Sequence, residues 1–352
     1  MKDRISRLSA RVNPAEFFFV SNPADIFYLS GFSGTFARIA VTQKESFFIT
    51  DSRYREEVEK SPIPSSFCVV ITKNLMKDLK KITSARRKAL LPASTSLKEY
   101  LSIREFAGIS ISSELAEMRA IKDSDEISLI RKAVEINELS LMHAVSVLRP
   151  GISEKDLSLE FEYFARKHGA DSVSFSPIVA FDSGSAVPHH KTSGIKLAKP
   201  GFILIDAGVR HKGYCSDLTR CVSFGIIGAR FKEVQKHYKT VQEAKSEAVK
   251  AYKNGCFIRE ADLAARICLK KKGGFDRLFT HSLGHGMGIE VHEPPYVNSR
   301  QKKKFREGMI FTCEPGIYME GRLGIRIEDD YLITPKGPEK LGKLPDGLII
   351  AG

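Results

Sequence analysis

At 352 residues with 42% hydrophobic side chains, the chain is long for one compact domain and has material for two cores, so it should fold without staples. Its six scattered cysteines (Cys68, Cys215, Cys221, Cys256, Cys268, Cys313) include no CxxC pair, which excludes a disulfide framework and reads as reduced thiols in a cytosol. The net charge of +13 is spread along the chain, its densest runs at 270–272 and 302–304 read as solvated faces, and no interleaving of arginine with aromatics marks a specific nucleic-acid surface.

The first dozen residues carry charges throughout, and the longest apolar piece near them, 17–20, is too short for a secretory signal. No stretch is long enough to cross a bilayer, so the expectation is a cytoplasmic protein without a membrane partner. Residues 1–118 alternate strand-like runs (17–20, 39–41, 47–49, 68–71, 89–91) with helix-like segments (54–60, 75–81), an α/β pattern. Pro62 and Pro64 break the chain, and Ser94 to Ser96 lead into a helix through Leu101.

A second unit, 119–352, opens with a helix that Asp123 or Ser124 can cap, its apolar positions Ile127, Ile130, Val134, Leu141, Val145 and Leu148 keeping a helical period until Pro150 and Gly151. A further helix runs from Ser153 to His168-Gly169. Strand material follows, then two more helices over 231–253 and 260–272. Gly151 with Glu154 and Asp156-Leu157 is echoed by Gly255 with Glu260 and Asp262-Leu263, a sign of two similar halves, each a helix pair plus sheet.

Candidate chemistry lies in this second unit. Residues 203–220, ILIDAGVRHKGYCSDLTR, read as one hairpin carrying Asp206 and Asp217. Either these aspartates are solvated on a surface turn, or they face each other across the ladder and need a cation between them. Later come His281-Ser-Leu-Gly-His285-Gly-Met-Gly, then Cys313-Glu314-Pro-Gly, then Arg326-Ile-Glu328, in which strand alternation aims Arg326 and Glu328 to one face. Asp206, Asp217, His285, Glu314 and Glu328 form the donor mix expected for a pair of divalent ions bridged by carboxylates: oxygen-rich for Mn²⁺, with one nitrogen admitting Co²⁺, Fe²⁺ or Zn²⁺. Such a pair would support hydrolysis without a side-chain nucleophile, and neither a GxSxG elbow nor a Walker-type loop competes with it.

These clusters, in this order, resemble the pita-bread metallopeptidases: IDAG, YCSDLTR, GHGMG, EPG and RIED, with the aspartates 217 − 206 = 11 residues apart. NPADIFYLSGFSGTFARIAV and ITDSRYREE are similar to the smaller creatinase-like domain of aminopeptidase P and prolidase, so the resemblance spans nearly the whole chain and favours the proline-specific branch. It implies an α+β fold: a creatinase-like domain over 1–118, then a pita-bread catalytic domain over 119–352 made of two similar α/β halves. It also implies a homodimer, and two divalent metal ions on Asp206, Asp217, His285, Glu314 and Glu328. His189 in VPHH and His292 in VHEPP are the implied contacts to substrate or its tetrahedral intermediate. His190 and Lys191 follow His189 where many relatives have glycine, and of the two adjacent histidines His189 is expected to face the site.

Glu314 is expected to act as general base and then acid, a role open to a metal-linked carboxylate, and His281 and Arg326 are expected to bind substrate or support the ligands, Arg326 by orienting Glu328. Some prolidases place an arginine a few residues beyond His292 to pair with a dipeptide's free carboxylate; Pro295 and Tyr296 stand there. The implied activity is therefore that of an Xaa-Pro aminopeptidase acting on peptides with proline in second position. An Xaa-Pro dipeptidase is the alternative, and a non-catalytic binding relative is a remoter one.

Overall fold

The computed structural model describes the chain apart from residues 1, 62, 64, 66 and 85 and the side chains of Lys2 and Asp3; the chain break expected at Pro62 and Pro64 lies outside the described residues. The chain divides into two compact units, Met1–Arg119 and Ala120–Gly352. The first is built on a six-stranded sheet in the order Phe67–Ile71, Ser46–Thr50, Arg38–Val41, Glu16–Val20, Lys88–Pro92, Gly108–Ser112. Its centre, EFFFV, puts Phe17 and Phe19 into a core with Leu79 and Ile103. The NPAD motif has a local role: Asn22 Oδ1 accepts the Ala24 N–H at 2.8 Å and starts the helix Pro23–Ser30, which Gly31 ends at φ 75°. That helix, Lys2–Ser9 and the strand Gly108–Ser112 have too short an apolar period to announce themselves in the sequence.

In the second unit Asp123 caps Ser124–Ser146 in a reciprocal bond with Glu126, and Ser153 caps Glu154–Lys167 in the same way with Asp156. The other two helices, Gly228–Val249 and Ile258–Lys271, begin two or three residues before the expected 231 and 260. Their caps are Ile227 and Phe257, which make no side-chain cap bond and so leave no signal in the sequence. Ile349–Ala351, Leu218–Phe224, Gly201–Ala207 and Ile178–Phe181 form one sheet in that order; Glu293–Val297, Gly284–Gly286, Ile310–Cys313, Asp329–Thr334 and Gly337–Lys340 form another.

The strands Gly201–Ala207 and Leu218–Phe224 are buried at every position. Ile203, Ile205 and Val222 join the core of the first helix pair. Phe202, Leu204 and Cys221 join the core that contains the second helix pair and Phe311, Ile325 and Ile327. Alternation therefore carries Asp206, in phase with Phe202 and Leu204, to the face that meets the second half.

One expectation needs correcting. Asp206 lies opposite Thr219, not Asp217, in the antiparallel ladder. The hairpin is interrupted where Ser216 donates its N–H to the Val209 carbonyl at 2.9 Å, so Asp217 stands in the break between Tyr214–Cys215 and Leu218–Phe224. The two carboxylates are near enough for the Asp206 charge to act on Asp217, but they are not cross-strand partners.

Candidate metal centre

Asp217, His285 and Glu328 each place a donor atom within 4.8 Å of the other two, and all three are buried. They arrive from separate elements: the break in the hairpin, the strand Gly284–Gly286, and the short link between Leu323–Arg326 and Asp329–Thr334. Glycine at 284 is required by close approach, since a Cβ there would lie 2.2 Å from the Thr312 carbonyl oxygen. Thr312 repeats the service with its side chain: its Oγ1 accepts the His285 N–H at 3.1 Å and donates to Glu314 Oε1 at 3.3 Å. Glu314 Oε1 then stands 3.4 Å from His285 Nε2, and Asp217 Oδ2 stands 3.7 Å from the same nitrogen.

The imidazole's tautomer follows from its partners. His285 Nδ1 faces the Gly286 carbonyl at 3.1 Å; a carbonyl only accepts, so Nδ1 carries the proton and Nε2 presents its lone pair to the carboxylates. Burial, then the neighbouring His292, lowers the His285 pKa to about 3, which keeps the ring neutral, the form that binds metals.

Asp206 joins through Arg326. The guanidinium Nη2 donates to Asp206 Oδ2 at 2.5 Å, Nη1 to Tyr318 OH at 2.7 Å, and Nε to Thr219 Oγ1 at 3.1 Å. Thr219 in turn donates to Glu328 Oε2 at 2.6 Å. Arg326 thus orients Glu328 through a threonine and holds Asp206 directly. His281 Nδ1 donates to the Ser282 carbonyl at 2.8 Å, so its Nε2 receives the Tyr318 hydroxyl at 2.9 Å. Burial pushes the Tyr318 phenol up to about 12, so it keeps that proton.

Four residues of this arrangement escaped the sequence reading: Thr219, Thr312, Tyr318 and Asp330, whose Oδ2 accepts the Asp217 N–H at 3.1 Å. A signal existed for Thr219, which alternation puts on the face of Asp217, and for the third acid of the run Glu328-Asp329-Asp330. Of the two adjacent histidines, His190 bonds Glu154 at 2.9 Å, while His189 is exposed and lies near enough to His281 and His292 to influence both. The His292 ring is 4.2 Å from that of His285.

The cluster fits a divalent cation. Burial, then the negative charges of its neighbours, raises Asp217 well above the carboxylate range; Glu314 is raised by burial and Glu328; burial and Asp206 push Glu328 to about 8. Oδ1 of Asp206, Asp217 and Asp330 are buried without a hydrogen-bond partner among the described residues. Buried oxygens left unpaired in a crowd of carboxylates are the electrostatic complement of bound cations.

Residues 128–335 match metallopeptidase family M24, and residues 4–121 match the creatinase/prolidase N-terminal domain. The chain belongs to metallopeptidase family M24, in its proline-specific pita-bread branch, and the family implies divalent metal ions in this centre. It is similar to the X-Pro aminopeptidase of Thermotoga maritima, at 34% identity over 99% of this chain and 100% of that one with a TM-score of 0.89. It is also similar to the Xaa-Pro dipeptidase of Bacillus anthracis, at 34% identity over 99% of both chains with a TM-score of 0.92. An uncharacterized peptidase of Staphylococcus saprophyticus is 41% identical over 180 residues, 51% of this chain and 50% of that protein. The chain spans about half the length of the curated relatives it matches.

Proposed function

We propose that the chain is a dinuclear-metal exopeptidase that hydrolyses the Xaa-Pro bond at the N-terminus of peptides, with Asp206, Asp217, His285, Glu314 and Glu328 holding the ions. The observation that carries this reading is the buried convergence of Asp217, His285 and Glu328 with unpaired aspartate oxygens beside them. Two divalent ions there, manganese or cobalt first and zinc or iron next, would polarise the scissile carbonyl and lower the pKa of the attacking water. Glu314, 3.4 Å from His285 Nε2 and so beside the ligands, would take the water's proton and return it to the departing proline nitrogen.

His292, whose pKa is lowered by partial desolvation, and His189 offer ring N–H groups to the oxyanion and the leaving group. Arg326 and His281 keep Asp206, Glu328 and Tyr318 in register. The reading includes a cytoplasmic homodimer; no described helix is long and apolar enough to cross a membrane.

Aminopeptidase is favoured over dipeptidase by Pro295 and the exposed Tyr296, which occupy the stretch beyond His292 where some prolidases carry an arginine for a dipeptide's carboxylate. The likeness to the Bacillus anthracis dipeptidase keeps the second reading in view. Chelated protein reloaded with Mn²⁺, Co²⁺ or Zn²⁺ and offered Ala-Pro, Ala-Pro-Ala and a longer Xaa-Pro peptide decides between them. The tripeptide and longer peptide are expected to turn over faster; faster cleavage of Ala-Pro establishes the dipeptidase, and no cleavage with any ion overturns both.

A further inference from the structure

The loops that carry His189 and His292 differ in sequence and share an arrangement: in each, the residue after the histidine is fixed in a nearly buried contact with a group of opposite hydrogen-bonding sense. His190 Nε2 lies 2.9 Å from Glu154 Oε2, with the two side chains 13% and 0% exposed. Lys122 Nζ donates to Glu293 Oε2 at 3.3 Å, with the side chains 2% and 3% exposed. Both anchors reach the entry of a helix. Glu154 is the first residue of Glu154–Lys167, and Lys122 immediately precedes Asp123, the cap of Ser124–Ser146.

Glu154 is saturated. Besides His190 it accepts the Phe181 N–H at 3.0 Å, the Ser193 N–H at 2.9 Å and the Ser193 hydroxyl at 2.7 Å. Burial would raise its pKa, but these bonds, His190 foremost, hold it below the ordinary glutamate value, so it stands as a carboxylate. The His190 ring also packs over Gly184, where a Cβ would meet its Cε1 at 3.1 Å. One residue before His189, the Pro188 carbonyl receives Arg326 Nη1 at 3.4 Å. The residues on either side of His189 are therefore held, Pro188 by the arginine that organises the carboxylates and His190 by the Glu154 anchor. On the other loop, Glu293 Oε1 accepts the Glu290 N–H at 3.1 Å, which closes the turn around His292.

We infer that Glu154 and Lys122 act through His190 and Glu293 as positioning residues that fix the separation of the two imidazoles, His189 and His292, across the carboxylate cluster. What the histidines do there rests on the exopeptidase reading; where they are held does not. A displacement of about 1 Å in such a group costs on the order of 100-fold in rate.

The test compares H190G, which removes the ring, with H190Q, whose amide can still donate to Glu154. Two properties are read on the ion-loaded protein: the rate at which diethyl pyrocarbonate modifies His189 and His292, followed by peptide mass spectrometry, and the kcat and KM for Ala-Pro-Ala. In H190G the modification rate of His189, an exposed ring whose surroundings would change, should shift by about twofold or more with His292 unmoved, and kcat should fall roughly 10- to 100-fold while KM moves less than about threefold. H190Q should return both readouts toward wild type. Glu293→Ala, which removes the acceptor of both Lys122 and the Glu290 N–H, should show the mirror image, with His292 affected and His189 spared. Equal His189 reactivity in H190G and wild type overturns the inference, as does failure of H190Q to restore it. Labelling needs no turnover, so a protein that cleaved no proline peptide would sink the functional reading and leave this test readable.

Discussion

Glu328 and Asp329 are neighbours in sequence and belong to opposite kinds of buried charge. Glu328 enters the cluster with Asp206, Asp217 and Glu314, where Arg326 is the cation and aspartate oxygens remain unpaired. Asp329 enters a closed network. Arg220 donates to its Oδ1 at 2.7 Å, Lys245 bonds its Oδ2 and Asp346 Oδ2, and Lys340 lies 3.1 Å from Asp329 Oδ1 and 2.5 Å from Asp346 Oδ1. Arg220 also donates to the Glu328 carbonyl at 2.6 Å, so the closed network braces the backbone of the open one. Charge compensated within the protein serves structure; charge left uncompensated marks the place where a ligand completes the electrostatics.

The widest separation between the clusters should come from their central acids. Asp217→Ala should lower turnover by roughly 10³-fold or more, as loss of a metal-centred step would. Metal analysis should find fewer ions per chain, and urea unfolding of the ion-free protein should be no less stable than wild type. Wild-type turnover in metal-replete buffer would break the assignment.

Lys245→Met should do the opposite. It removes one cation from a buried network and leaves Asp329 short of a partner, so stability should fall by about 3–5 kcal/mol. An unmoved urea midpoint would mean that Arg220 and Lys340 suffice.

A smaller effect distinguishes the clusters by pH. Asp346, though burial opposes it, is lowered by Lys245 and Lys340, so its stabilisation is present above the ordinary aspartate pKa and lost as acid drives pH below that value. Glu328 has the opposite sign, since a folded pKa of about 8 against an ordinary 4.5 means that the ion-free protein loses stability as pH rises between those values. Thermal melts of chelated protein from pH 5 to 8 should fall with pH, and added Mn²⁺ should abolish the slope. A slope indifferent to the ion would remove Glu328 from the ligand set.

Much of this contrast was open to sequence reading, for stated reasons. Asp206, Asp217, His285, Glu314 and Glu328 sit in short motifs whose order could be matched, and Asp123 and Ser153 announce their helices by capping chemistry. The closed network could not be read that way. Lys245 lies on the inward side of an amphipathic helix between Ala244 and Ala248, and nothing local tells a buried lysine from a solvated one until Asp329 and Asp346 arrive from 84 and 101 residues away. The geometry of the hairpin failed for a related reason: the bond from Ser216 to Val209 is a tertiary choice between two registers that the residues alone leave open.

The strands Gly201–Ala207 and Leu218–Phe224, buried on both faces, bear on how this unit folds and how it can be divided. A fragment carrying only the first helix pair and its sheet would leave Phe202, Leu204 and Cys221 in water, with Asp206 and Asp217 stripped of the partners that arrive later in the chain. The two halves are alike in plan yet share one wall, so they are expected to unfold as one cooperative body. An ion bound at that wall is thereby linked to the unfolding equilibrium of the whole unit.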